Sequence, residues 1–167
     1  MEKLRKEWEK NREQKSTDNY AVITQWKQYN AQEIDEVAQK AHNTVFEHEV
    51  DCLACGNCCK VLQPYFTNKD IARIAAHFGQ TASDFALQYL EVNNFNEFRM
   101  RSKPCAFLNP DNTCAIYAIR PQNCSEYPHT NKKNFTAQRA MHADNTIVCM
   151  ATYAILERMK KAIQIKD

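Results

Sequence analysis

Glycine is almost missing from this sequence: two residues in 167, with only five prolines. That scarcity leaves no low-complexity linker. Neither a phosphate-cradling glycine loop nor a dinucleotide fingerprint is present, and no Ser–His–Asp arrangement offers itself. No apolar run approaches the ~20 residues that cross a bilayer. The N-terminal stretch MEKLRKEWEKNREQK has no apolar centre and no small-residue cleavage site, so it does not read as a secretory leader. A cytoplasmic protein with no membrane partner is expected. Net charge is only +2, so no basic field argues for nucleic acid. No internal repeat is found. Hydrophobic residues make up 44% and charged residues 25%, which suits one ordinary globular core.

The periodicities are mainly helical. Residues 2–15 alternate charge at helical spacing (Glu2 with Lys6, Arg5 with Glu9) and read as a solvated, fraying helix. Residues 18–29 read as a second helical stretch, with Trp8 and Trp26 assigned to the core. Asn30 is placed to cap a clearer helix, with Glu33 three residues on and an apolar face of Ile34, Val37, Ala38, Ala41, Val45 and Phe46. It should end near Glu49. Thr67 with Asp70, and Thr81 with Asp84, signal two further helix starts, and Gly79 a helix stop between them. Phe95, Phe98, Met100 and Phe107 are β-compatible, and NPDNT (109–113) is dense in turn formers, so Cys105–Tyr117 reads as a small hairpin or knuckle. Pro121 and Pro128 keep 121–135 irregular. Asp144 or Asn145 is expected to cap one last helix, with Cys149 in its first turn. The expected fold is mainly α with a small cysteine-rich irregular or β-hairpin centre. It divides into an N-terminal helical extension over 1–49, able to recruit a protein partner, and a single metal-organised domain over 50–167.

Against those absences stand eight cysteines: Cys52, Cys55, Cys58, Cys59, Cys105, Cys114, Cys124 and Cys149. A tight Cys52-x2-Cys55 turn can aim two sulfurs at one tetrahedral centre. Gly56 follows, where a positive φ would turn backbone N–H groups toward the thiolates. Cys58 extends the run to C-x2-C-x2-C, which iron–sulfur proteins also use. In extended backbone the adjacent Cys58 and Cys59 would diverge and serve different metals or opposite edges of one cluster. Eight thiolates make two four-thiolate sites by arithmetic, and Cys52, Cys55, Cys58 and Cys59 are expected to be indispensable to metal retention. Lys60, Arg101, Lys103, Arg120, Lys132 and Lys133 lie near cysteines in sequence and can offset thiolate charge.

Other readings explain less. Structural disulfides need an oxidising compartment. Inert buried cysteines account for one or two thiols, not four within eight residues. A thioredoxin-type dithiol follows a strand, whereas the segment before Cys52 is helical in pattern. His129 and His142 are each close enough in sequence to a cysteine to replace one thiolate. His42, His48 and His77 lie on helical stretches and read as solvated or packed. Tyr65, Tyr117 and Tyr127 read as core aromatics with a polar tip.

The run Cys52-x2-Cys55-x2-Cys58-Cys59, then Cys105, then Cys114-Ala-Ile-Tyr-Ala-Ile-Arg120-Pro121-Gln-Asn-Cys124, resembles the YkgJ-type CxxCxxCC cysteine-cluster family. The resemblance covers roughly residues 50–150, with Cys149 in the place of the family's last cysteine. It implies a domain that chelates zinc or iron through eight cysteines, with no assigned biological role. Larger proteins of similar pattern are flagellin lysine methylases associated with iron–sulfur chemistry. An iron–sulfur redox or protein lysine methylase-like activity is therefore the alternative to a metal-binding module that is not an enzyme.

Overall fold

The computed structural model describes residues 1–163; residues 164–167, the end of the expected C-terminal domain, lie outside the described residues. In chain order the helices are α1 (Glu2–Gln25), α2 (Ala31–His48), α3 (Cys52–Cys55), α4 (Asn57–Val61), α5 (Asn68–His77), α6 (Ala82–Tyr89), α7 (Gln122–Glu126), α8 (Arg139–Val148) and α9 (Met150–Ala162). The strands are β1 (Tyr65–Phe66), β2 (Leu90–Val92) and β3 (Phe98–Met100). The fold class is thus the expected one, mainly helical with a small antiparallel sheet in the middle. None of the described helices is long and apolar enough to cross a membrane. The chain forms two compact units: Met1–Asp51 together with Pro128 onward, and Cys52–Tyr127.

In the first unit a single helix replaces the two stretches expected over 2–15 and 18–29. Nor is its first half merely solvated. Trp8 is buried, and its Nε1–H donates to the Thr146 carbonyl at 2.7 Å. Arg12 donates to the Ile147 carbonyl at 3.3 Å, and Ser16 Oγ to the Ala143 carbonyl at 2.8 Å. Asn19 Nδ2 donates to Thr146 Oγ1 at 2.9 Å. The reason is local: α8 ends at Val148, so the carbonyls of Thr146 and Ile147 have no partner inside that helix. Side chains of α1 supply it. A face that docks through Trp, Arg, Ser and Asn leaves no hydrophobic period to read.

Asn30 caps α2 as expected, its side chain accepting from the N–H groups of Gln32 and Glu33. Ile34, Ala38, Ala41 and Val45 form the buried stripe, and Glu49 closes the helix. That stripe packs against α9, whose Met150, Ala151, Ala154, Ile155 and Met159 are buried. Trp26 is buried too, as assigned. The expected single last helix is two. Asp144 and Asn145 lie inside α8 and cap nothing, and the chain breaks at Cys149 with φ −119° and ψ 111°.

In the second unit the sheet runs β1-β3-β2, with Tyr65 opposite Arg99 and Leu90 opposite Met100. Thr67 and Asp70 form a reciprocal capping box at the start of α5, and Thr81 caps α6 by accepting from the Asp84 N–H. Gly79, at φ +66°, stops the chain after α5. Phe66, Ile71, Ile74, Phe85, Leu90, Met100, Phe107 and Ile116 make one apolar core. Residues 105–117 are the expected knuckle: Leu108 bridges Cys114, and the Asn109 N–H donates to the Thr113 carbonyl at 2.9 Å. The stretch 121–135 is less irregular than expected, because Pro121 starts the short helix α7. Pro at a helix start costs no intrahelical bond. Tyr65 and Tyr117 are exposed rather than core aromatics.

Gly56 joins α3 to α4 at φ +59° and is buried against the knuckle. A Cβ placed there would lie 2.8 Å from Asn112 Cβ and 3.0 Å from its carbonyl oxygen. Gly56→Ala therefore adds a left-handed-backbone penalty of about 1 kcal/mol or more to a direct collision. In urea unfolding of the reduced protein, Gly56→Ala is expected to be destabilising by about 2 kcal/mol. Adding Asn112→Gly should restore part of that loss. An unchanged midpoint in the single variant would contradict the contact.

Candidate metal centre

The run that opens the second unit is helical on both sides of Gly56, not a loop. Cys52 and Cys55 occupy one turn, closed by the Gly56 N–H donating to the Cys52 carbonyl at 3.0 Å. The left-handed step at Gly56 then starts α4, which carries Cys58 and Cys59. Helical rather than extended backbone keeps these neighbours together, with their Sγ atoms 4.0 Å apart. Cys52 is exposed, whereas Cys55, Cys58 and Cys59 are half-buried. All eight cysteines are present as thiols.

Two other segments of the same unit carry the remaining thiols, the knuckle and α7. The Cys105 N–H donates to the Cys59 carbonyl at 2.8 Å, which ties the start of the knuckle to α4. The knuckle folds back through the Leu108–Cys114 bridge and the Ala115 N–H to Phe107 carbonyl bond at 2.9 Å. Cys105 and Cys114 both pack on the apolar core. Cys124 arrives on α7. The Gln122 N–H donates to Asp70 Oδ1 at 3.1 Å, and the Tyr65 N–H donates to Asn123 Oδ1 at 3.4 Å. Arg73 braces the same corner, donating to Asp70 at 3.0 Å and to the Ile119 and Arg120 carbonyls at 2.6 and 3.1 Å. Burial alone would raise the Asp70 carboxyl, but donors from Thr67, Gln122 and Arg73 outweigh it and hold Asp70 below the usual carboxylate range. Sequence reading saw Asp70 only as a helix cap. Its partner Gln122 is 52 residues distant in sequence, so no local pattern could reveal it.

The thiols of this set act on one another. The Cys58 thiol, hydrogen-bonded to Cys59, lowers Cys59 to about 7 against the opposing effect of burial. Burial drives Cys105 up to about 11, helped by the charges of Cys59 and Cys114. Cys124 is pushed up to about 12 by burial and by Cys59, Cys105 and Cys114 together. Cys114 is raised by burial and by Cys59. Arg120 opposes this at Cys114 and Cys124. Its guanidinium lies 3.9 Å over the Tyr117 ring and donates to the Tyr117 carbonyl at 2.7 Å. Arg101, also expected to balance thiolate charge, instead donates to the carbonyls of Leu87 and Leu90 at 2.8 and 2.6 Å.

The remaining sequence candidates lie in the other unit. Cys149 is half-buried at the α8–α9 junction, where its carbonyl accepts from the Tyr153 N–H at 3.1 Å. His142 is fully buried and stacked on Phe135 with ring centroids 4.0 Å apart. Burial, then the nearby His129, lowers His142 to about 4. His42 packs against Phe46 and shares a 2.8 Å hydrogen bond with Thr130 Oγ1.

Among the described residues no group of three or more His, Cys, Asp or Glu side chains is gathered closely enough, as it stands, to hold a metal ion. The donor set nonetheless fits zinc or iron in kind. Sulfur is a ligand both accept, and neighbouring thiols oppose the ionisation of Cys105, Cys114 and Cys124, which is what a bound cation would relieve. A family model, CxxCxxCC, described as "Putative zinc- or iron-chelating domain", matches residues 51–143, more than half of the chain. Cys149 falls outside the matched segment. No curated protein and no solved structure matches the chain.

In the metal-free, reduced protein the thiolate of Cys59 forms as pH rises through about 7, while Cys105 and Cys124 stay protonated until about 11 and 12. Only thiolates react readily with iodoacetamide. Peptide mapping at pH 8 should therefore find Cys59 alkylated well before Cys105 and Cys124. Its advantage should shrink as pH falls below 7. Equal rates at all three positions would refute the electrostatic assignment.

Proposed function

Because this chain belongs to the CxxCxxCC family, we propose that it binds zinc or iron through cysteine thiolates of its second unit. The supporting observation is that the charge of Cys59 on α4 bears on Cys105 and Cys114 of the knuckle, which is bonded to the Cys59 carbonyl, and on Cys124 of α7, raising all three. These four are the ligands best placed to act together, and Cys52, Cys55, Cys58 and Cys149 complete the set expected from sequence. A bound cation supplies positive charge that offsets ionised sulfur and cross-links the knuckle, α4 and α7. Arg120 contributes part of that charge from the chain itself. No catalytic group accompanies the thiols in this reading, and the metal's work is organisational.

A second reading, an iron–sulfur redox or methylase-like enzyme, draws on the C-x2-C-x2-C spacing of Cys52, Cys55 and Cys58. One preparation separates the two. Full-length, untagged protein purified without oxygen is expected to contain zinc or iron. Removing it with a chelator should lower the melting temperature. A colourless protein favours the organising ion, and brown absorption with acid-labile sulfide favours the cluster. Protein with no metal, and none taken up on reconstitution with zinc or ferrous iron, would overturn both readings.

A further inference from the structure

One face of the second unit takes no part in thiol chemistry. Between the start of α5, helix α6 and strands β2 and β3 lies an open cleft of about 610 Å³. Ile71, Ala86, Leu87, Leu90, Val92 and Phe98 wall it, and no cysteine is among its lining residues. Leu87 is 71% exposed and Val92 53%. Aliphatic side chains left this open beside a concavity are what an apolar ligand covers. Two charged side chains also line the cleft, Glu91 and Arg101. Glu91 is neutralised by Arg99, whose Nη2 lies 2.7 Å from Glu91 Oε1. Arg101 is held differently. Its Nη2 donates to the Leu87 and Leu90 carbonyls at 2.8 and 2.6 Å, and its Nη1 to the Gln88 carbonyl at 3.4 Å. Among the described residues every partner of this guanidinium is a main-chain carbonyl and none is a carboxylate. Carbonyls at the end of a helix offset only part of a full positive charge. A guanidinium has five N–H donors, so some remain for a ligand after these three bonds.

We propose that this cleft binds a small aliphatic carboxylate, its hydrocarbon chain on the apolar walls and its carboxylate at Arg101. Neither the thiols nor an ion takes part, so the site is independent of the metal-binding reading. Hydrocarbon leaves water on binding, and the carboxylate meets the one cation of the cleft that lacks an acid. The volume lies in the range of small-molecule sites. A peptide added to the sheet would need free main-chain groups along β2, the edge strand on this side. Leu90 offers none: its N–H donates to the Ala86 carbonyl, and its own carbonyl accepts from Arg101.

The test titrates full-length reduced protein with decanoate and follows the methyl NMR signals. Saturable shifts are expected at Ile71, Leu87 and Val92. Octanoate, shorter by two methylenes, should bind several-fold more weakly. Decyltrimethylammonium, with a tail of similar length and the opposite charge, should bind about tenfold more weakly than decanoate. Arg101→Gln should erase that preference for the anion. Leu87→Gln, at an exposed position, should weaken decanoate and keep the preference. Because Arg101 also ties down the end of α6, the two head groups compared on unaltered protein decide the case if Arg101→Gln does not fold. No saturable binding of decanoate, or shifts confined to methyls outside the cleft, would overturn the site. Equal binding of the anion and the cation would overturn the carboxylate assignment.

Discussion

Opposition to ionisation among half-buried thiols is the constraint on which the second unit of this protein turns. Burial raises Cys105, Cys114 and Cys124, and each ionised neighbour raises them further. Left to themselves, these thiols stay protonated at neutral pH. A divalent cation held among them would oppose that repulsion and favour the ionised form of the sulfurs it touched. Arg120 shows the same sign of effect on a smaller scale, lowering Cys114 and Cys124 while its guanidinium stays stacked on Tyr117. One arginine beside four potential negative charges leaves most of the repulsion in place.

The scaffold earns its shape without those sulfurs. The Thr67–Asp70 box starts α5, and the same Asp70 carboxylate receives Gln122, so the helix that carries Cys124 is held by a capping residue used twice. Arg73 adds bonds to the carbonyls just ahead of α7. The knuckle is held by its own bridge and by Phe107 and Ile116 in the apolar core. Gly56 lets α4 approach Asn112 more closely than any residue with a Cβ would allow. Backbone and core thus hold α4, the knuckle and α7 in the same unit through bonds that involve no sulfur.

How much of this the sequence disclosed follows from the range of each interaction. Caps at Asn30, Thr67 and Thr81, the stop at Gly79 and the positive φ at Gly56 are decided within four residues, and all were readable. The 105–117 knuckle was readable from turn chemistry for the same reason. The long first helix was misread because its docking face is polar: Trp8, Arg12, Ser16 and Asn19 satisfy groups on α8 more than 120 residues away. The break at Cys149 was missed because apolar residues continue through it on both sides, and a period alone cannot register a single extended residue. For the thiols, spacing nominated all eight, yet it could not say which of them share a field. That depends on contacts such as Cys105 to Cys59, which cross forty-six positions.

The adjacent pair Cys58–Cys59 carries the last step. Read as extended backbone, two neighbouring cysteines must point apart, and the run looks like a ligand set awaiting a loop to wrap it. The helical backbone of α4 changes that logic, since it holds the two sulfurs 4.0 Å apart while the chain on either side leads in different directions. One direction runs back through Gly56 to an exposed turn, the other across a hydrogen bond to the knuckle. The Cys58 thiol, hydrogen-bonded to its neighbour, lowers Cys59 to about 7, whereas burial first, and neighbouring thiols after it, hold Cys105 and Cys124 up at about 11 and 12. Adjacency on a helix thus sets Cys59 apart from the thiols of the knuckle and α7.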